Sequence, residues 1–423
     1  MTTSPNDDAC CTEYARMSRR SLFRGAAALA GTTTAFGGAV LTASPSAALA
    51  PAPSVLVVLS LRGAADGLSL VVPHGDAAYY KARPRIAVPA DQLLAPDGFF
   101  GLHPRLAPLL PLWERGAMAA VHATGLPAPN RSHFAAMEEL EDAAPGSTTR
   151  VGWLNRLIGL DAIDSPSQAI SLAGNLPTSL YGPAAALSTN AVDDLEVAGD
   201  NKWVRRNGRM RSLSTMWQGE PTPLGVGARS AFRTVKELNP VLSTGAAPAH
   251  GAVYPAGDLG RALAAAARII RADAGVSVLT VDHGDWDMHS NLGTLRGGRM
   301  VENAGELAAA LHAFFTDIGL YAGSAVGSKV TLVALSEFGR RVQENSNQGL
   351  DHGYGNVMLL AGAGVRGGYH GRWPGLANDL NADLTVTTDY RSVLAEVVAR
   401  RFDASTASVF PGFSPTSVGV MRA

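Results

Sequence analysis

Short apolar runs alternate with amphipathic segments along most of the chain. The runs SVLVVLSL, AMAAVHA, VSVLTV, VTLVAL and NVMLLAGAGV have the length of strands that are buried on both faces. Between them, DLGRALAAAARIIRAD has helical spacing, and a later segment places Leu307, Leu311 and Phe314 on one helical face. This alternation predicts an α/β fold with a parallel sheet that is flanked by helices on both faces.

Residues 190–255 depart from this alternation. They contain scattered Pro, Ser and Gly and one basic piece, NKWVRRNGRMR. We interpret this interval as an insertion that forms a cap over the sheet, so that residues 51–423 form a single domain. The arginines of the basic piece are more typical of a solvated face than of an anion site.

The first 50 residues have the pattern of an export signal. The pair Arg19–Arg20 within SRRSLFRG resembles the twin-arginine signal, and Ala48–Leu49–Ala50 offers an A-x-A cleavage site. The run between them is rich in Ala, Gly, Thr and Ser, which makes it too weakly apolar to favour a retained membrane helix. We expect the twin-arginine translocase to export the protein across the inner membrane, to the periplasm or the extracellular space.

Charge and cysteine content narrow the classes of function. Lys and Arg number 35 against 36 Asp and Glu, without a long block of one sign, so nothing indicates nucleic acid or an anionic membrane as a partner. Cys10 and Cys11 precede the expected cleavage site, so the mature chain would have no disulfide and no thiolate metal site. We expect a small-molecule or polymer substrate.

Three polar clusters lie next to successive predicted strands. The stretch VDHGDWDMHSN supplies Asp285, Asp287 and His289 after one strand, Glu337 follows the next strand, and His352 precedes the last one. The carboxyl ends of parallel strands meet at one edge of a sheet, and a loop can bring His352 to that edge. Carboxylate and imidazole ligands without thiolate suit zinc, manganese or iron.

Each cluster also has an ordinary structural explanation. Aspartate and histidine are common in turns after strands. Glu337 is also placed to form a solvated ion pair with Arg340 or Arg341. Three clusters after successive strands favour a divalent metal site over these alternatives.

Ser132 precedes a predicted helix, SHFAAMEELEDA. A hydroxyl at a helix N-terminus faces free N–H groups and a favourable dipole, which suits a nucleophile, but an ordinary N-cap has the same features and is favoured by sequence alone. Beside it, Asn130 and Arg131 are candidates for contact with a polar or anionic substrate. His133 is a candidate acid or base.

The order of several blocks resembles a known family. RGAADGLSLVVPHGD, NRSHFAAMEELE, GDWDMHSN and SEFGRRVQENSNQGLDHGYGNVMLLAGAGVRGG look like successive blocks of the exported domain of unknown function 1501. That family in turn resembles the alkaline phosphatase superfamily of metal-dependent phosphatases, sulfatases and phosphomutases. The resemblance implies an alkaline-phosphatase-like α/β sandwich with a parallel sheet.

The same resemblance implies residue roles. Asp66 stands in the place of the aspartate after the first strand, and Ser132 stands in the place of the nucleophile. Asp287 with His289 looks like the superfamily's Asp/His pair, Asp285 has the alternative spacing to His289, and His352 fits the final histidine. In SEFG the superfamily would have Asp-His. Glu337 can replace that carboxylate, but Phe338 cannot bind a metal, so the second metal site has lost an imidazole. Of the one or two ions that the resemblance implies, a single ion is favoured.

These observations predict an exported metal-dependent hydrolase that acts on a phosphate, sulfate or related ester. The metal, held by Asp287, His289 and His352, would activate a water or the Ser132 hydroxyl, with Asp66 and Glu337 completing or replacing a second site. The alternative is a non-catalytic exported binding or assembly protein that retains the fold.

Overall fold

The computed structural model describes residues 33–36, 39–42, 50–161, 165–194 and 208–423. The export signal expected in residues 1–50, with Arg19, Arg20 and both cysteines, lies almost wholly outside the described residues. Within the described ranges, no helix combines the length and the apolar character that crossing a membrane requires.

Thirteen strands are described, and eleven of them form one sheet. The strands are β1 (Thr33–Phe36), β2 (Ala39–Thr42), β3 (Val55–Leu61), β4 (Val71–Val72), β5 (Gly101–Leu102), β6 (Met118–Gly125), β7 (Ala169–Ser171), β8 (Leu187–Ser188), β9 (Val278–His283), β10 (Val330–Leu335), β11 (Asn356–Gly362), β12 (Gly368–His370) and β13 (Thr388–Asp389). Strands β4 and β5 form a separate antiparallel pair.

The described α-helices range from single turns to a helix of 19 residues. They are α1 (Gly67–Leu70), α2 (Ala77–Ala82), α3 (Leu110–Glu114), α4 (His133–Asp142), α5 (Trp153–Ile158), α6 (Gly208–Trp217), α7 (Pro223–Glu237), α8 (Asn239–Ser243), α9 (Asp258–Arg271), α10 (Arg299–Asp317), α11 (Tyr390–Phe402) and α12 (Thr406–Val409). Short 3-10 helices cover Ala90–Gln92, Pro104–Leu109, Pro166–Gln168, Thr178–Leu180, Val192–Asp194 and Gly327–Lys329.

The large sheet is mixed, with a mostly parallel centre. Its order is β1-β2-β8-β7-β9-β3-β10-β11-β6-β12, and β13 also pairs with β6. Strands β8, β7, β9, β3 and β10 are parallel neighbours. The expectation of a parallel sheet is wrong for β11, which runs antiparallel to both β10 and β6. Residues 336–355, which connect β10 to β11, contain no helix that could return the chain for a parallel pairing.

Helices cover both faces of the sheet, as the apolar runs predict. Strand β3 shows why, because its side chains alternate between two cores: Val57 and Leu59 pack with α9 and α10, whereas Leu56 and Val58 pack with α4, α5 and α11. Every residue of β3 is buried. Burial of a side chain of this size stabilises the fold by roughly 1.5–3 kcal/mol.

The interval 190–255 contains α6, α7 and α8, and residues 195–207 within it lie outside the described residues. Helix α7 begins at an N-cap, Thr222, whose side chain accepts a hydrogen bond from the Gly225 amide. The expectation that this interval is a cap on a single domain stays a prediction.

Candidate metal centre

One edge of the sheet collects five chain segments. Strands β3, β9 and β10 end there, and so does β6, which is parallel to β10 because both run antiparallel to β11. Strand β11 runs antiparallel to β10, so it begins at this edge. The residues just before β11 therefore lie near the residues that follow β9 and β10. The antiparallel direction of β11 is therefore what brings His352 to the site.

The segment after β9 is held by two buried side chains. Trp286 and Met288 are 0% and 2% exposed, so they anchor the segment in the core. Asp287 and His289 alternate with them and are half-buried at the sheet edge. Gly63 passes so close that a Cβ atom there would lie 2.6 Å from the Asp287 amide nitrogen, so a side chain at Gly63 would displace the segment.

Four side chains converge at this edge and form what we call the His–Asp cluster: His133, Asp287, His289 and His352. The Nε2 atom of His352 lies 2.9 Å from that of His133 and 3.0 Å from that of His289. The Oδ1 atom of Asp287 lies 3.7, 3.1 and 3.5 Å from the Nε2 atoms of His133, His289 and His352. The ligand atoms of His133, Asp287 and His352 all lie within 4.8 Å of one another and form a potential metal-binding triad.

Each imidazole of the cluster is oriented through its other nitrogen. The Nδ1 atom of His133 lies 2.7 Å from Glu337 Oε1, and that of His289 lies 3.1 Å from Asp351 Oδ1. The Nδ1 atom of His352 lies 3.0 Å from the carbonyl oxygen of Arg131. Since all three partners only accept hydrogen bonds, each Nδ1 must donate, and in a neutral ring the Nε2 lone pair then faces the cluster.

Glu337 is fixed by its own partners. It is 2% exposed, and its Oε1 accepts hydrogen bonds from the Gly63 and Ala64 amides at 2.9 and 3.0 Å. Burial alone would raise the pKa of Glu337, but the hydrogen bond and charge of His133 hold it below its usual range. Glu337 thus orients a histidine, and the ion pair with Arg340 or Arg341 considered from sequence does not form.

Arg340 fixes the carboxylate of the cluster. Its Nη2 atom lies 2.6 Å from Asp287 Oδ1, and its Nε and Nη1 atoms donate to the carbonyl oxygens of Ala64 and Leu350 at 2.7 and 2.9 Å. Metal binding requires neutral imidazoles, and in that state Asp287, Glu337 and Asp351 together with Arg340 leave two negative charges. A divalent cation would neutralise them.

Burial and neighbouring groups shift the pKa values of the cluster in different directions. Burial would raise the pKa of Asp287, but hydrogen bonds from the three histidines and the charge of Arg340 lower it strongly. Burial would lower the pKa of His133, but hydrogen bonds with Asp287 and Glu337 raise it to about 9. Burial lowers the pKa of His352.

Phe338 forms an apolar wall of the cluster. It is 2% exposed, and its ring centroid lies 5.0 Å from those of both His133 and His352. The side chain that replaces the expected imidazole therefore excludes water from one side of the two rings.

Asp66 and Asp285, expected as ligands, are not brought to the cluster. Asp66 is 2% exposed, and both of its oxygens accept hydrogen bonds from Arg83, at 2.5 and 2.9 Å, in a buried ion pair. Asp285 is exposed and has a φ of 64°, and its carbonyl oxygen accepts from Arg299 Nη2 at 2.9 Å. Asp66 is therefore bound by Arg83 rather than available for the second site expected with Glu337.

Ser132 is the N-cap residue of α4, so the predicted helix start is confirmed. Its hydroxyl forms no capping hydrogen bond and, within the described part of the chain, none to the His–Asp cluster. Asn130 stabilises the turn before α4 instead. Its Oδ1 accepts a hydrogen bond from the Ser132 amide at 3.1 Å, and its Nδ2 donates one to Glu139 at 3.2 Å. Arg131 forms an ion pair with Asp383, so only its carbonyl oxygen contacts the cluster.

A cavity of about 470 Å³ adjoins the cluster. His133 and Glu337 line one part of it, and one face of α4, the segment 173–178, Arg62 and Asp282 line the rest. Among the described residues, the cavity meets the cluster at His133, whereas Asp287, His289 and His352 do not line it.

Sequence reasoning missed three contributions to this site. His133 was expected as an acid or base, yet its Nε2 joins the potential ligands. The orienting contacts of Arg340 and Asp351 were also missed. The position of Asp351 directly before His352 was the available signal that it lies near the cluster. The contact of Arg340 with Asp287 had no such signal, because the two residues are 53 positions apart in sequence.

A family model with the description "Protein of unknown function (DUF1501)" matches residues 111–404, which is more than half of the chain. A search of curated proteins finds no match.

Proposed function

The chain belongs to the DUF1501 family, and we propose that it is an exported metal-dependent hydrolase that cleaves a phosphate, sulfate or related ester. One observation carries the proposal: three imidazole Nε2 atoms and one carboxylate oxygen converge, while every Nδ1 atom donates away from them. Such convergence, with carboxylate or carbonyl partners behind the rings, is typical of protein metal sites.

The ligand set favours one zinc, manganese or iron ion. His133, His289 and His352 would supply nitrogen ligands, and Asp287 would supply an oxygen ligand. Of the two residues expected for a second site, Asp66 is bound by Arg83, and Glu337 orients the His133 ring. The cluster therefore supports a one-ion site more than a two-ion site.

The bound ion would lower the pKa of a water molecule and polarise the ester oxygen. The chain's own side chains prepare the site for this. Glu337 and Asp351 keep two rings in the orientation that exposes Nε2, and Arg340 holds Asp287 in place. Phe338 keeps water from the far side of the rings, and the cavity beside His133 admits the substrate.

Water is the nucleophile favoured by this arrangement. A serine nucleophile would need contact with the metal, whereas the Ser132 hydroxyl forms no hydrogen bond to the cluster among the described residues. The ester would thus be hydrolysed by direct attack of water, without the covalent intermediate that the resemblance to the alkaline phosphatase superfamily implies. Export by the twin-arginine translocase rests on the SRRSLFRG pattern and completes the proposal.

A non-catalytic binding or assembly protein is the second candidate. Phe338 favours it, because an apolar ring occupies the position where the alkaline phosphatase superfamily, which the sequence resembles, would have a histidine ligand. Such a protein would hold a metal for structure alone.

A hydrolysis assay separates the two functions. The protein, purified without chelator, is assayed on 4-nitrophenyl phosphate and 4-nitrophenyl sulfate before and after chelation, beside His289→Ala and Asp285→Asn. The hydrolase predicts turnover that is lost on chelation, restored by metal and absent from His289→Ala only. Retained metal without turnover of either ester would favour the non-catalytic protein, and turnover that survives metal removal would contradict both.

A further inference from the structure

The cavity beside the His–Asp cluster has the form of a groove along α4. Phe134, Met137, Glu138 and Glu141 all line it, and their spacing of three and four residues places them on one face of the helix. Its volume of about 470 Å³ falls within the range of small-molecule sites, about 300–1,000 Å³. The groove is therefore large enough for the organic part of a substrate.

The length of α4 sets the span of the groove. His133 lies at the cluster end and Glu141 lies eight residues further along, which corresponds to about 12 Å along the helix axis. Apolar side chains lie between these ends, from Phe134 and Met137 on the helix and from Leu176 and Pro177 on the segment after β7. A ligand with an apolar body of this length would reach from the cluster to Glu141.

The remote end of the groove carries excess negative charge. Arg62 is its cation, and it is held by Glu141 at 2.7 Å and by Asp282 at 3.0 Å. Glu138 adds a third carboxylate, so this end of the groove has two more carboxylates than guanidiniums. The neighbouring Arg150 pairs with Glu138 and also with Asp142, which lies outside the groove lining. Arg150 and Asp142 together add one positive and one negative charge, so the excess is unchanged.

These charges select the ligand. An anionic group at the remote end would be repelled by the carboxylates. It would gain little from Arg62, because that guanidinium already pairs with Glu141 and Asp282. A protonated amine would gain from the same field. Asp282 and Glu138 are about half exposed, so both can be reached from solvent.

We propose that the groove binds the organic part of the substrate and selects one that carries a protonated amine at the end remote from the cleaved ester. The position of the cleaved ester at the cluster end of the groove rests on the proposed function. Recognition of the amine itself requires neither metal nor reaction.

A matched series of probes tests this selection. The three probes are 4-phenylbutylamine, 4-phenyl-1-butanol and 4-phenylbutyrate, which share an apolar body and differ in the terminal group. Calorimetric titration of the metal-depleted full chain should give at least about tenfold tighter binding of the amine than of the alcohol. The carboxylate should bind more weakly than either.

Charge-removing variants assign the effect to the groove. Glu138→Gln/Asp282→Asn should weaken binding of the amine about fivefold or more and leave binding of the alcohol unchanged. Glu114→Gln, which removes an exposed carboxylate of α3 outside the groove, is the matched control and should bind like the parent. Both substitutions in the double variant are at accessible positions, which spares the buried Glu141–Arg62 pair.

The outcomes separate this inference from the proposed hydrolysis. Equal binding of the three probes, or an amine preference that survives Glu138→Gln/Asp282→Asn, would overturn the inference even for an active hydrolase. Amine selection by a protein that cleaves no ester would support the groove and contradict only the proposed reaction.

Discussion

The Nε2 atoms of His133 and His352 lie 2.9 Å apart, although each ring already directs its Nδ1 proton to another acceptor. In neutral rings, two lone pairs at this separation repel each other. A proton on His133, which would then donate to His352 Nε2, or a cation bound by both nitrogens would remove the repulsion. The cation is favoured because His289 Nε2 and Asp287 Oδ1 converge on the same place, and one proton cannot join all four atoms. This relationship is the physical basis for treating the His–Asp cluster as a metal site.

Asp351→Asn should weaken metal binding about tenfold or more, because loss of a carboxylate behind a histidine ligand typically costs about 10–100-fold in affinity. The side chain of Asp351 is 54% exposed, so the fold should tolerate the change. Competition with a chromogenic chelator measures the affinity, and Asp379→Asn, at another exposed aspartate, is the control. An unchanged affinity for Asp351→Asn would mean that the contact with His289 does not support metal binding.

Asp66→Asn should destabilise the fold without loss of metal. It leaves the buried Arg83 guanidinium without its charged partner, which should cost about 3–5 kcal/mol in the free energy of unfolding. The double variant Asp66→Leu/Arg83→Met removes both charges and should recover much of that loss. Urea unfolding and elemental analysis of the same preparations test both statements. A folded Asp66→Asn protein that had lost its metal would show that Asp66 is a ligand.

Phe338→Ala should lower the free energy of unfolding by about 3–5 kcal/mol, because it opens a cavity beside two histidine rings. Phe338→Leu fills more of that space and should cost less. Both effects can be read from denaturant unfolding of the metal-depleted proteins, which separates packing from metal binding. Equal stability of the alanine variant and the parent would contradict the packing described for this ring.

His122 should make the fold sensitive to acid. Its ring stacks 3.6 Å from that of Phe100 in the interior, and burial lowers its pKa to about 3. Between about pH 6.5 and pH 3 the unfolded chain binds a proton that the folded chain does not. Stability should therefore fall with pH in this window, by up to about 1.4 kcal/mol per pH unit.

The variant His122→Phe isolates this contribution. It keeps an aromatic ring and should flatten the dependence of unfolding free energy on pH, whereas His250→Asn changes an exposed histidine and should not. Urea unfolding from about pH 7 to pH 5 measures the slopes. Equal slopes for His122→Phe and the parent would show that His122 does not take up the proton on unfolding.

Much of the fold follows from local sequence patterns. Apolar runs predicted the central strands, and the resemblance to domain of unknown function 1501 is confirmed by the family match. Strand direction was harder, because an apolar run has the same composition in both directions. The segment SEFGRRVQENSNQGLDHGYG lacks helical periodicity, and this absence of a crossover helix was the available signal that β11 is antiparallel.

The site was partly predictable because sheet edges collect residues that follow strands. That rule predicted that Asp287, His289 and His352 lie close together, and they are in contact in the structure. It failed for Asp66, since a position after a strand does not reveal that Arg83 will bind both carboxylate oxygens. Contacts between distant segments, such as Arg340 with Asp287, depend on the complete fold.

Elemental analysis of the full chain, purified without chelator or metal-binding tag, shows whether the His–Asp cluster holds a metal. The parent is compared with Asp287→Ala/His289→Ala, which removes two ligands, and with Asp285→Asn, which removes a neighbouring carboxylate outside the His–Asp cluster. We expect one zinc, manganese or iron ion per chain in the parent and in Asp285→Asn, and none in the double variant. Folded parent protein that binds no divalent metal, or a double variant that retains it, would show that the His–Asp cluster is not a metal site.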